Sequence, residues 1–213
     1  MGMHFGIVAV KAGAAQFVDA FATAWPHHEP AARVDVTGLE ALSDWMRATQ
    51  RNAAAAGGAV DVFGFWQDGM WAVLFDPSYA QASDRRALAV LSQRFGLVLS
   101  FVVETAGGCA FFEAFDGGQL VRRIQSIDGV LTTDGVRLPQ EAGLPADRYF
   151  EDETRQLQRA FGLTGMDGVP ADVPVIGAAY VDRTDYGTPR RRPSAAADRV
   201  ATPSLKRPWW RVW

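Results

Sequence analysis

Apolar runs of strand length alternate with stretches of helical spacing through most of the chain. His4–Val10 is a compact apolar run, which is typical of a buried strand. Phe17, Phe21 and Trp25 follow at four-residue intervals, so we predict a helix over residues 16–25. Pro26 marks its end.

A second strand and helix are predicted next. Residues 33–36 fit a short strand, and Thr37 and Glu40 have the spacing of a capping box, in which two side chains bind the free backbone amides of a helix start. Gly57 and Gly58 predict the end of this helix.

The clearest local signal is a β-hairpin centred on Asp68-Gly69. This dipeptide suits the positive φ angles of a two-residue turn, and apolar runs over residues 60–67 and 70–76 flank it. Residues 70–75 are all apolar, so both faces of that strand are expected to be buried. The pattern therefore places the hairpin in the middle of a sheet.

The middle of the chain indicates one helix and then several antiparallel strands. Ser83 is the expected N-cap of a helix that ends at Gly96. Glycine-containing turns separate the three strands predicted after it, which cover residues 97–104, 109–115 and 119–127.

The C-terminal third begins regularly and then changes character. Thr133-Asp134-Gly135 predicts a further small hairpin, and residues 148–161 predict a closing helix. Residues 173–181 fit an edge strand at most, because prolines become frequent from Pro170 onward.

Together these elements predict an α+β fold with a mainly antiparallel sheet flanked by helices. We place the globular domain at residues 1–165 and a proline-rich, basic, partly irregular extension at residues 166–213.

Charge supports this division. The net charge of −3 hides a contrast between residues 1–182, with 13 basic and 22 acidic side chains, and residues 183–213, with 8 basic and 2 acidic ones. The body carries −9 and the tail +6. Such a tail either docks on its own acidic body or binds an anionic partner.

The single cysteine, Cys109, excludes an intramolecular disulfide and fits a reducing compartment. The start of the chain has no secretory pattern, and no apolar run is long enough to span a bilayer. We expect a cytoplasmic protein without stable membrane insertion.

Motifs for metal, thiol or nucleotide chemistry are weak. His27-His28-Glu29 lies between two prolines and is interpreted as a solvated loop rather than a zinc site, because no spaced partner ligands accompany it. Cys109 lies in an apolar strand and is expected to pack rather than react. Phosphate-loop motifs are absent from the sequence, and no cofactor or metal is predicted.

Acid/base chemistry remains an alternative. Convergence of several carboxylates around a groove would make the protein a small-molecule hydrolase or transferase, whereas their scatter along the chain favours a solvated acidic surface and a non-enzymatic role. The carboxylates considered are Asp76, Glu104, Glu113, Asp116 and Glu141.

The tail combines cationic charge with large aromatic rings, a composition that suits a peptide docking on a protein groove. A flexible solubilising tail is the alternative, and the acidic body argues against nucleic acid. A docking tail would also fit a structural or assembly protein. The predicted partner-binding residues are Arg190, Arg191, Arg192, Lys206, Arg207, Trp209, Trp210, Arg211 and Trp213.

Four segments, in order, carry a family resemblance: WAVLFDP from Trp71, LSQRFG from Leu91, GQLVR from Gly118 and GVRLPQE from Gly135. The run resembles uncharacterised bacterial proteins found among the immunity proteins of polymorphic toxin systems. The resemblance implies a non-catalytic, cytoplasmic binding protein that neutralises a partner toxin by occluding its surface. An acidic body would suit a basic toxin. This is the leading functional hypothesis.

Overall fold

The computed structural model describes residues 4–165 and 169–184, which form one nine-stranded sheet with helices on both faces. The strands are β1 (His4–Val10), β2 (His28–Thr37), β3 (Asp61–Asp68), β4 (Trp71–Asp76), β5 (Val98–Glu104), β6 (Cys109–Asp116), β7 (Gln119–Ile127), β8 (Val130–Gly135) and β9 (Pro174–Asp182). The helices are α1 (Ala14–Ala24), α2 (Gly38–Ala55), α3 (Arg85–Phe95) and α4 (Glu151–Ala160), with a 3₁₀ turn at Pro139–Glu141. The predicted α+β class is confirmed.

The strands lie in the order β2-β9-β3-β4-β1-β5-β6-β7-β8, and every neighbouring pair is antiparallel. The hairpin predicted at Asp68-Gly69 joins β3 to β4, with Asp68 opposite Trp71 and Gly69 at a φ of 59°. It lies near the middle of the sheet, as predicted. β4 is buried on both faces, which agrees with its uninterrupted apolar sequence.

Two hydrophobic cores lie on opposite faces of the sheet. Helices α1 and α3 cover one face, where Phe17 and Phe21 pack on strand residues such as Leu74. Helices α2 and α4 cover the other, where Leu42 and Leu157 belong to the second core. The result is a three-layer arrangement in which the sheet is the middle layer.

One prediction about strand position is wrong. The strand expected at the edge, β9, lies inside the sheet, with β2 on one side and β3 on the other. Its one proline is compatible with this position, because Pro174 is the first residue of the strand, where a missing N–H is tolerated. The sheet thus continues beyond residue 165, the predicted domain boundary.

Strand β2 is longer than predicted, and it, rather than β9, forms the edge of the sheet. It begins at His28, and Pro30 lies within it next to a break in register between Pro30 and Ala32. Most of its residues are exposed, so the apolar pattern that predicts a strand is absent from its first half. Only its edge position tolerates a proline there.

The turn predicted at Thr133-Asp134-Gly135 is also wrong, because all three residues belong to β8. The chain reverses instead at Asp128 and Gly129, whose φ angles are 51° and 78°. Both positive values fit the two-residue turn of a hairpin.

Two helix caps differ from prediction. Asp84, not Ser83, caps α3, since its Oδ1 accepts the N–H groups of Arg86 and Ala87. Thr37 is the residue before α2, as expected, but its side chain makes no capping bond. The spacing of Thr37 and Glu40 predicts the start of α2 correctly, but the capping hydrogen bond expected from Thr37 is not formed.

A pair of glycines lets α2 approach the sheet closely. Gly64 of β3 and Gly177 of β9 are direct partners in the ladder. A Cβ atom on Gly64 would lie 2.3 Å from Cδ2 of Leu42, and one on Gly177 would lie 2.7 Å from Cε3 of Trp45. Both distances are too short for two carbon atoms, so a larger residue at either position would force Leu42 or Trp45 to move.

Replacing Gly64 tests this packing. Gly64→Ala forces a buried leucine to move, and we expect the free energy of unfolding in urea to fall by about 1–3 kcal/mol. Gly58→Ala is the control, because a Cβ there has its nearest neighbour at 3.7 Å. The control should stay within about 0.5 kcal/mol of the parent or be more stable than it. Equal effects of the two substitutions would contradict the explanation.

Candidate functional site

Asp76, the first of the carboxylates considered for acid/base chemistry, is fully buried at the end of β4. Its Oδ1 accepts hydrogen bonds from the backbone N–H and the hydroxyl of Ser78, at 3.0 and 2.7 Å. Its Oδ2 accepts the N–H groups of Gln81 and Ala82, at 2.8 and 3.0 Å. Burial raises the pKa of Asp76, and these four donors oppose that rise. The carboxylate organises the loop between β4 and α3.

The other four carboxylates are also engaged locally or exposed. Glu104 accepts the N–H groups of Ala106 and Gly107 and so closes the turn between β5 and β6. Glu113 binds the Arg85 guanidinium. Asp116 is exposed at the end of β6.

Glu141 forms the most buried ion pair described. Both of its oxygens accept from the Arg122 guanidinium at 2.8 Å, and Glu141 is only 2% exposed. The N–H of Leu138 donates to the same carboxylate, which ties the 3₁₀ turn to β7. The two parallel hydrogen bonds between the guanidinium and the carboxylate offset the cost of burying the two charges. Its role is structural.

Cys109 is buried at the start of β6, and its thiol donates to the carbonyl oxygen of Gly107 at 3.1 Å. Burial, aided by the charges of Asp128 and Glu104, raises the pKa of the thiol. A protonated, buried thiol is a poor nucleophile, which agrees with the packing role expected from sequence.

The histidine segment differs from its predicted solvated loop. His27 and Glu29 are exposed, but His28 is 7% exposed at the first position of β2. Its Nε2 lies 3.3 Å from Oδ2 of Asp61 and 3.2 Å from Nε2 of Gln81. One potential ligand atom from each of His28, Asp61 and Asp182 lies within 4.8 Å of the others. Sequence reasoning missed this group, because its members are 33 or more residues apart and meet only through the strand order.

The predicted partner-binding residues of the tail, from Arg190 to Trp213, lie outside the described residues. The docking-tail hypothesis therefore stays a prediction.

The two edges of the sheet differ in how they are protected. Edge strand β2 has Pro30, a register break and the charged residues Glu29, Arg33 and Asp35, features that hinder pairing with another strand. Edge strand β8 has neither a proline nor a register break in its pairing with β7. Its one charged residue is Asp134.

Backbone groups of β8 point outward at defined positions. Because Asp128-Gly129 is a two-residue turn, Ile127 and Val130 form a hydrogen-bonded pair, and the pairs alternate from there. Leu131 and Thr133 therefore direct their N–H and C=O groups away from β7. Within the described ranges, no strand pairs with that side of β8.

Apolar side chains accompany this open edge. Val130 is 66% exposed and Ile127, directly opposite it on β7, is 39% exposed, while Val136 just beyond the strand is 82% exposed. They are three of the five most exposed large apolar residues in the described chain. We refer to residues 130–135 with Ile127 and Val136 as the β8 edge.

No helix among the described residues is both long and apolar enough to cross a membrane.

Comparisons of the chain with protein-family models, curated proteins and solved structures find no match.

The role assigned to Asp76 leads to a stability prediction. Asp76→Asn places an NH₂ group against donors of Ser78 or of Gln81 and Ala82, so at least one buried N–H loses its acceptor. We expect the free energy of unfolding to fall by about 1–3 kcal/mol for each unsatisfied group. Asp116→Asn, at an exposed turn, should change it by less than about 0.5 kcal/mol. Urea denaturation followed by tryptophan fluorescence measures both, and an Asp76 variant as stable as the control would refute the assignment.

Proposed function

We propose that this protein is a non-catalytic binding protein that receives an extended segment of a partner protein along the β8 edge. The observation that carries the proposal is the contrast between the two sheet edges. β2 is blunted by a proline, a register break and charges, whereas β8 is regular and open. An unprotected edge is the ready site for strand addition.

The β8 edge supplies both the affinity and the register for such a partner. Outward N–H and C=O groups of Leu131 and Thr133 offer main-chain hydrogen bonds of the kind that join neighbouring strands. The exposed Val130 offers apolar contact to a side chain of the added strand, and Ile127, one strand further in, extends that apolar surface. The partner segment therefore has an extended backbone with apolar side chains on one face.

Charge selects the class of partner. Residues 1–182 carry a net charge of −9, and Asp128 and Asp134 are exposed in and beside β8. Complementary charge accelerates association and disfavours acidic competitors. A basic partner fits best, and a basic toxin neutralised by occlusion, as the immunity-protein resemblance implies, is the first candidate to test.

Proline at position 133 tests the binding edge without breaking the protein's own ladder. Thr133→Pro removes an outward N–H while leaving the β7–β8 hydrogen bonds in place, and Thr133→Ala retains the N–H as a matched control. We expect the proline variant to weaken partner binding by about 1–3 kcal/mol, as for an unpaired polar group, and the alanine variant to bind like the parent.

The test uses the products of genes adjacent to this one. Each is co-expressed with the parent protein, and association is measured by co-purification and by rescue of growth where the product is toxic. Rescue that is lost in Thr133→Pro and kept in Thr133→Ala supports the proposal. Rescue that persists in the proline variant contradicts the β8 edge, and failure of every neighbouring product to bind contradicts the toxin assignment.

A further inference from the structure

A second group of residues, separate from the β8 edge, lies at the opposite side of the sheet. His28 is the first residue of β2, Asp61 the first of β3 and Asp182 the last of β9. Because β9 runs antiparallel to both neighbours, these three positions meet at one end of the sheet.

The strand register also places the three side chains on one face. His28 is directly opposite Asp182, and Asp61 is opposite Tyr180, two residues before Asp182. Side chains two apart on a strand share a face, as do direct cross-strand partners. The face is the one covered by α1, since the Tyr180 ring stacks on Phe21 at 4.4 Å.

The imidazole of His28 is buried and incompletely satisfied. Its ring lies among Phe21, Phe63 and Tyr180, at centroid distances of 5.6–6.3 Å. Nδ1 is buried and has no hydrogen-bond partner. Nε2 has two polar neighbours, Asp61 and Gln81, at nearly equal distances. A single ring nitrogen has one proton or one lone pair and cannot bond well to both.

A shared cation would account for both contacts of Nε2 at once. Ligand atoms about 2.0–2.1 Å from one ion are about 2.9 Å apart at adjacent corners of an octahedron and about 3.4 Å apart in a tetrahedron. The distances from Nε2 of His28, 3.3 Å to Asp61 and 3.2 Å to Gln81, fall in that interval.

Gln81 can supply a fourth donor. Its two side-chain amide atoms exchange places by rotation about the last side-chain bond, which brings Oε1 toward His28 and Nε2 toward the hydroxyl of Ser78. The Gln81 backbone is held by Asp76, which fixes this loop against the ends of the strands.

Charge is consistent with a divalent ion. Asp61 and Asp182 contribute two carboxylates beside a buried imidazole, and the N–H of Thr184 orients Asp182 through its Oδ1 at 2.7 Å. Arg183, the basic residue next to Asp182 in sequence, donates from its Nε to Oε2 of Glu29 at 2.9 Å.

We propose that His28, Asp61 and Asp182, with Gln81 as a fourth donor, bind a divalent first-row transition cation. One imidazole with three oxygen donors suits an ion of intermediate hardness such as Zn²⁺ rather than Ca²⁺, which takes six to eight oxygens. The ion links the ends of β2, β9 and β3, so binding stabilises the native state.

Titration of the full-length, chelator-treated protein with ZnCl₂ by isothermal calorimetry tests the site. We expect one saturable equivalent and a rise in melting temperature on addition of Zn²⁺. Asp61→Asn removes one ligand at a position whose side chain is 42% exposed, so the fold should persist. Its affinity for Zn²⁺ should fall by at least about tenfold.

Two histidine variants separate the site from adventitious binding. His28→Gln removes the buried ligand and should weaken binding as Asp61→Asn does. His27→Gln, one residue away and exposed, should leave binding unchanged. The proposal is overturned if Zn²⁺ does not saturate, if Asp61→Asn binds and is stabilised like the parent, or if His27→Gln rather than His28→Gln loses the ion. The contact between His28 and Asp61 would then be purely structural.

Discussion

The hydrogen-bonded ladders that β9 forms with β2 and β3 are the interaction on which the rest of the architecture depends. They attach β2 to the sheet, since β2 pairs with no other strand among the described residues. They bring Gly177 opposite Gly64, so that α2 packs closely on the sheet, and they bring Asp182 opposite His28. One late segment of the chain therefore joins β2 to the central hairpin.

The two edge strands of this sheet, β2 and β8, differ in chemical character. At the β2 side, a proline, a register break and charged residues discourage further pairing. The buried His28 lies there beside the partly exposed Asp61 and Asp182, where three strand ends meet. At the β8 side, the ladder remains regular and apolar side chains are exposed. The proposed cation site and the proposed binding edge therefore lie on opposite sides of the sheet. Substitutions at these two places should accordingly have independent effects.

Local sequence was informative wherever one element's own residues decide its structure. The Asp68-Gly69 turn, the apolar strand after it and the helical spacing of α1 were all found, because turn chemistry and periodicity act over a few residues. Errors arose where a distant partner decides. Residues 173–181 were predicted at an edge, yet pairing with β2 and β3 makes them interior. Asp134-Gly135 has turn chemistry, but the true turn at Asp128-Gly129 holds it in a strand.

The sequence by itself determined the α+β class, the central hairpin, the burial of Cys109 and the charge contrast between body and tail. Each follows from composition or from short-range spacing, which need no knowledge of strand order. Only the tertiary structure decided that β8 is the open edge and that His28, Asp61 and Asp182 meet. Strand order brings together residues that are far apart in the chain, and no local pattern encodes such a pairing.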